Sequence, residues 1–220
     1  MDAFRYVLSK NERSQRAIQL TETILKLNPG MFTVWNYRTM LLTNSGLDVD
    51  LNAELDLMEA LIKVHLKGYQ VWSVSRLVFG RQADTSPRQH RKLIVLALND
   101  PSRELSFCSR ALQIDSKNYH TWAYRHWALC HFYPLRDNTF YSAEVSKQVW
   151  DAERTYSESL ISEDVRNNSA WAHRFFVCFE NGVYENVEEE EVQFAKEKLG
   201  LAPNNASAWN YLRGYVEPHL

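Results

Sequence analysis

Tryptophan recurs in five related strings along this chain: FTVWNYR (Trp35), GYQVWSVSR (Trp72), NYHTWAYRHW (Trp122), NNSAWAHRFF (Trp171) and NASAWNYLRGY (Trp209), at intervals of 37, 50, 49 and 38 residues. Repeats of this length indicate a solenoid of helical pairs, because one pair alone cannot bury its apolar face. The stretches between the tryptophans agree. Leu51, Leu55, Met58 and Ile62 share one helical face, and Ile18 and Leu25 do the same in segment 13–27. Gly and Pro together number 13, and no segment alternates as a half-buried strand would. The expected fold class is all-α: a right-handed α–α superhelix of antiparallel helical hairpins, one repeat domain over 1–220.

Each tryptophan offers a large apolar body to the space between stacked helices. Arg38, Arg125 and Arg174 stand three residues after a tryptophan, on nearly the same helical face. They are read as structural, bridging to carboxylates or carbonyls of the adjoining repeat while their stems cover apolar surface. Asn118, Asn167 or Asn168, and Asn204 or Asn205 precede a tryptophan by a few residues and suit helix N-caps.

The two long intervals point to insertions near 73–89 and 133–148. Removing 16 residues after Trp72 would bring His90-Arg91 into a W-x-H-R string like Trp171-Ala172-His173-Arg174, with a spacing of 34. The removed stretch holds the loop-formers Gly80, Asp84, Ser86 and Pro87. The second stretch, starting at Tyr133-Pro134, follows a tryptophan helix, where a solenoid tolerates surface insertions.

Lys and Arg number 25 against 27 Asp and Glu, a net charge of −2, so a broadly basic nucleic-acid binder is excluded. No run of 18 apolar residues suits membrane insertion. The amino terminus lacks the apolar core of a signal peptide. Cys108, Cys130 and Cys178 suit reduced, buried thiols in the cytoplasm better than a disulfide framework. There is no CxxC and no HExxH. His126 and Cys130, four apart on one helix, read as a packed core pair rather than metal ligands.

With the repeats laid out, the sequence resembles the alpha subunit shared by protein farnesyltransferase and type I protein geranylgeranyltransferase. The strings that carry the resemblance are KGYQVW (67–72), NDPSRELSF (99–107), KNYHTWAYRHW (117–127), EDVRNNSAW (163–171) and NNASAWNYL (204–212). The alpha subunit of the Rab geranylgeranyltransferase has similar repeats, which these strings look less like. The resemblance implies a helical crescent around a catalytic beta subunit. It also implies transfer of a farnesyl or geranylgeranyl group from a prenyl diphosphate to the cysteine of a C-a-a-X box protein. The zinc ion is implied on the partner beta subunit, not on this chain, with magnesium as a further cofactor candidate.

The resemblance also assigns roles. Lys67 matches a diphosphate-contacting lysine, whose ammonium would stabilise charge growing on the leaving oxygen. Tyr69 matches the active-site edge, and Gln70 matches a glutamine that reads the substrate's terminal carboxylate. Asn118, Tyr119 and His120 match residues lining the prenyl-diphosphate and peptide cleft, although Asn118 also reads as an N-cap. Phe32 stands where the family usually has Tyr, and Gly68 where it has Asn. The chain also lacks the family's longer amino-terminal segment and the final helices after the fifth repeat. The alternatives are a non-catalytic helical-repeat scaffold, such as a tetratricopeptide-like adaptor, and an inactive isoform that binds the beta subunit. The tryptophan-arginine pattern differs from the tetratricopeptide signature.

Overall fold

The computed structural model describes residues 2–44, 46–65, 87–136, 139–180 and 187–216, and among them every regular element is helical. Two compact units are present, Met1–Ile114 and Asp115–Leu220.

The first unit holds α1 (Asp2–Ser9), α2 (Gln15–Leu27), α3 (Phe32–Asn44), α4 (Leu51–His65), α5 (Pro87–Leu98) and α6 (Glu104–Ile114). Helix α3 packs on α2 and on α5, and α5 packs on α4. The second holds α7 (Tyr119–Phe132), α8 (Ala143–Glu163), α9 (Asn168–Phe175) with a π-helical turn at Phe176–Glu180, α10 (Glu188–Leu201) and α11 (Ala206–Val216). Helix α9 packs on α8 and on α11, and α11 packs on α10. Both units thus repeat one plan. Neighbouring helices joined by the short connectors 28–31, 164–167 and 202–205 fold back as antiparallel hairpins. The second helix of one hairpin then lies against the second helix of the next.

Four tryptophans each bond back to the turn that precedes their helix. The Trp35 indole N–H donates to the Pro29 carbonyl at 2.8 Å, Trp122 to Ser116 at 2.9 Å, Trp171 to Val165 at 2.8 Å and Trp209 to Pro203 at 2.7 Å. In every case the acceptor lies six residues back, in the turn that leads into the tryptophan helix. One side chain therefore fills the apolar layer and satisfies a turn carbonyl. Caps complete these turns. Asn118 Oδ1 accepts from the Thr121 N–H, Asn167 Oδ1 from Ser169 and Ala170, and Asn205 Oδ1 from Ser207. Asn167 and Asn205, not their neighbours Asn168 and Asn204, are the capping residues. The Asn205 amide also donates to the Val165 carbonyl, tying two successive turns together.

Trp35, Trp122 and Trp171 are buried, but Trp209 is 50% exposed. The first three rest on an aromatic ring two residues beyond the tryptophan position of the following repeat. Ring centroids are 4.9 Å apart for Trp35–His90, 4.8 Å for Trp122–His173 and 5.1 Å for Trp171–Tyr211. Among the described residues, no later repeat offers such a ring to Trp209. The expectation for the cysteines needs one correction. Cys108 and Cys178 are buried, but Cys130 is exposed, so it is not half of a packed pair with His126, whose partner is His173.

Gly214 lets α9 and α11 approach. A Cβ there would lie 2.5 Å from Phe175 Cε2. Phe175 cannot swing aside cheaply, because it is packed among Phe179, Tyr211 and Tyr215 with centroids 4.8, 5.9 and 5.6 Å away. Gly214→Val is expected to cost about 1–3 kcal/mol by overpacking. Urea denaturation of the purified variant measures this, and an unchanged midpoint would contradict the close approach.

Candidate functional site

Four buried glutamates, Glu54, Glu104, Glu153 and Glu191, each accept more than one bond. Each accepts from an arginine of the helix before its own. Arg38 Nη2 donates to Glu54 at 2.6 Å, Arg91 Nη2 to Glu104 at 2.7 Å, Arg125 Nη2 to Glu153 at 2.6 Å and Arg174 Nε to Glu191 at 2.7 Å. A second donor comes from the glutamate's own hairpin, two residues past the tryptophan position. His90 Nε2 lies 2.8 Å from Glu54, His173 Nε2 lies 2.9 Å from Glu153, and the Tyr211 hydroxyl lies 2.6 Å from Glu191. Each glutamate thus links consecutive repeats. The arginines also lie over an aromatic ring three residues after the glutamate: Arg91 over Phe107 at 3.7 Å, Arg125 over Tyr156 at 4.2 Å and Arg174 over Phe194 at 3.8 Å.

Arg38 further donates to the Ile18 carbonyl at 2.7 Å. The expected bridging of Arg38, Arg125 and Arg174 to carboxylates and carbonyls is therefore what the side chains do. Sequence reading missed the glutamates themselves. The signal Glu-x-x-aromatic finds three of the four: Glu104 with Phe107, Glu153 with Tyr156, and Glu191 with Phe194, whereas Leu57 stands at that place after Glu54.

His90 and Arg91 follow the same geometry although no tryptophan stands two residues before His90; Arg88 does. His90 relates to Trp35 and Glu54 as His173 relates to Trp122 and Glu153, and Arg91 relates to Glu104 as Arg174 relates to Glu191.

Burial alone would raise the glutamate pKa values, but it is outweighed by arginine and histidine bonds at Glu54 and Glu153 and by Arg174, Tyr211 and Arg154 at Glu191. Glu54 and Glu153 are held at about 2, and Glu191 also lies below the ordinary 4.5. Burial pushes His126 down from 6.5 to about 3, with the neighbouring His173 adding to the effect, and burial lowers His173 too. The sign follows for both classes. The unfolded chain protonates His126 and His173 near 6.5 and Glu54, Glu153 and Glu191 near 4.5, before the folded chain does. The stability these groups contribute is fully present above about pH 6.5, falls as the two histidines are protonated in the unfolded state, and falls faster below about 4.5. Each fully coupled group contributes up to about 1.4 kcal/mol per pH unit. Thermal melts at pH 7.5, 5.5 and 4 test this, and equal melting temperatures at all three would contradict it.

The residues expected to touch substrate fall into two sets. Lys67, Tyr69 and Gln70 lie outside the described residues. Asn118, Tyr119 and His120 come together at the head of α7. Asn118 serves the turn: its Oδ1 caps α7 and its Nδ2 donates to Asp115 at 3.3 Å. Tyr119 is 75% exposed and packs edge-on against His120 at 5.6 Å, with Lys117 exposed beside them. One turn on, Trp122 is buried. The head of α7 therefore presents an amine, a phenol and an imidazole from a rigid base. Among the described residues, no group of three or more His, Cys, Asp or Glu is placed to hold a metal ion, and no helix is long and apolar enough to cross a membrane.

Comparison with known proteins bears on this repeat plan. The protein prenyltransferase alpha subunit repeat matches residues 14–45, 101–132, 150–180 and 188–217. The stretch carrying α4 and α5 falls between these matches. The protein farnesyltransferase/geranylgeranyltransferase type-1 subunit alpha of Pisum sativum is 34% identical over 97% of this chain and 56% of its own length. The geranylgeranyl transferase type-2 subunit alpha of Rattus norvegicus is 26% identical over 94% of this chain and 35% of its own length. A solved structure, Candida albicans protein geranylgeranyltransferase-I complexed with GGPP, superposes with a TM-score of 0.73 at 30% identity, covering 98% of this chain and 64% of that one. This chain thus spans between a third and three-fifths of the length of these curated relatives. Each matched stretch carries one tryptophan-bearing second helix with its turn, and together they make up more than half of the sequence; the chain belongs to the protein prenyltransferase alpha subunit repeat family.

Proposed function

We propose that this chain is the alpha subunit of a heterodimeric protein prenyltransferase, active in the cytoplasm only with a beta subunit. The reaction joins a farnesyl or geranylgeranyl group, taken from its diphosphate, to the cysteine of a C-a-a-X box protein. The supporting observation is the exposed Tyr119 beside the half-buried His120 at the head of a family-matched repeat, held from behind by the Asn118 cap and the Trp122 staple.

As the prenyl C–O bond breaks, negative charge grows on the diphosphate. The Lys67 ammonium, the Tyr69 hydroxyl and the donors of Tyr119 and His120 are the groups of this chain that would stabilise it. The Gln70 amide would read the peptide's terminal carboxylate without adding net charge. Asn118 acts through the α7 cap. The zinc ion, held by the beta subunit, would activate the substrate thiol as thiolate; magnesium would offset diphosphate charge. Co-expression with a prenyltransferase beta subunit tests the assembly. A stoichiometric heterodimer is the expected result, and failure to co-purify would overturn this function.

A second reading, a subunit that binds the beta partner but supports little turnover, is favoured by one observation. His90 and Arg91 take the repeat's bonding positions 16 residues later than the Trp72 string would place them. We infer that residues 73–88 are an insertion between the Lys67 string and His90-Arg91. Deleting 73–88 in the heterodimer is expected to raise the transfer rate while leaving the chain folded. A lower rate from a folded deletion variant would oppose the insertion reading.

A further inference from the structure

Two glutamate links in this chain close into four-membered rings of side chains, and they close differently. Around Glu54 the members are Arg38 and Thr39 of α3, Glu54 of α4 and His90 of α5. Thr39 Oγ1 meets His90 Nδ1, and His90 Nε2 meets Glu54. Around Glu153 the members are Arg125 and His126 of α7, Glu153 of α8 and His173 of α9. His126 Nε2 lies 2.9 Å from His173 Nδ1, and His173 Nε2 lies 2.9 Å from Glu153. Thr39 and His126 occupy the same place, four residues after a tryptophan.

The proton positions in the second ring are determined by its chemistry. Glu153 is a carboxylate and only accepts, so His173 donates from Nε2. A neutral His173 then accepts at Nδ1, so His126 donates from Nε2. The charged groups facing this pair are Arg125 of α7 and Glu153 of α8. Tyr156 of α8 meets the His173 ring edge-on at 6.5 Å, and Phe176 stacks on His126 at 4.1 Å.

Arg125 and His126 are adjacent, so they leave α7 about 100° apart around its axis. Beside the buried Trp122, these two bonded side chains add anchors in different directions that resist rotation of the helix. Tyr119 and His120 lie roughly 10 Å back along the same helix. A rotation of about 10° moves a side chain at ~6 Å radius by about 1 Å. An error of that size at reacting groups costs up to ~100-fold in rate.

We propose that His126 is a positioning residue which, acting through His173, fixes the rotation of α7 and with it the Tyr119–His120 edge. This rests on the prenyltransferase reading, and two measurements separate the two claims. In the chain alone, nitrogen NMR of the imidazoles, assigned by single replacements, reads the tautomers. A proton on Nε2 of both His126 and His173 is expected, and a proton on Nδ1 of His126 would overturn the anchoring whatever the enzyme does. In the heterodimer, His126→Leu opens the ring, whereas His126→Thr restores the hydroxyl found at Thr39. His126→Leu is expected to lower kcat/KM roughly tenfold at unchanged heterodimer yield, with His126→Thr recovering to within about threefold of the parent. Equal kcat and KM for His126→Leu and the parent in an active heterodimer would remove His126 from positioning. An inactive parent heterodimer would refute the functional reading, and the tautomers would then decide the anchoring.

Discussion

Glu153→Ala is expected to destabilise the protein by about 3–5 kcal/mol, as removal of one partner of a buried ion pair does. The carboxylate accepts two bonds from Arg125, at 2.7 and 2.6 Å, and one from His173 at 2.9 Å. All three residues are almost fully buried. Alanine would leave a guanidinium with its charge uncompensated and a ring N–H without an acceptor, neither of them able to reach bulk water. Against a typical domain stability of about 5–15 kcal/mol, this is a large share of what holds the second unit folded. Replacing both charges, as Arg125→Met with Glu153→Leu, is expected to cost much less, because no lone buried charge remains. Urea denaturation of the three variants checks this. A loss under about 1 kcal/mol for Glu153→Ala would mean the link contributes little to holding repeats together.

The second large effect concerns chemistry. Lys67→Ala in the heterodimer is expected to lower kcat by about 10²–10³-fold, the usual scale for removing one preorganised charge from a developing anion. KM for the peptide is expected to change little. The lysine acts on charge that appears as the C–O bond breaks, so its loss is felt more in the transition state than in the bound substrate. Single-turnover rates with a radiolabelled prenyl donor separate chemistry from product release. An unchanged single-turnover rate would take Lys67 out of the mechanism.

Much of this architecture was legible in the sequence because its determinants are local. Tryptophan reaches a carbonyl only six residues back, and asparagine caps the turn beside it, so both leave a short pattern. Arginine was legible in kind but not in partner. The glutamates lie 16, 13, 28 and 17 residues beyond Arg38, Arg91, Arg125 and Arg174. Connectors of different length intervene, so no fixed spacing marks them. The donor two residues past the tryptophan position varies between His and Tyr, since each can offer one proton to a carboxylate. Its role therefore emerges only when the hairpins are stacked. Cys130 was misread because helical spacing relates it to His126 along α7, whereas the bonding of His126 is decided by α9. At the candidate site, the α7 edge was readable from its string. The Asn118 carbonyl oxygen forms the N-cap of α7, the reading its place before the helix also offered.

The most direct test of the account is prenyl transfer to a C-a-a-X peptide by this chain and a prenyltransferase beta subunit, each alone and together, with farnesyl and geranylgeranyl diphosphate. Transfer by the pair with at least one donor, and by neither chain alone, is the predicted result. A stable pair that transfers neither group, even after residues 73–88 are removed, would contradict it.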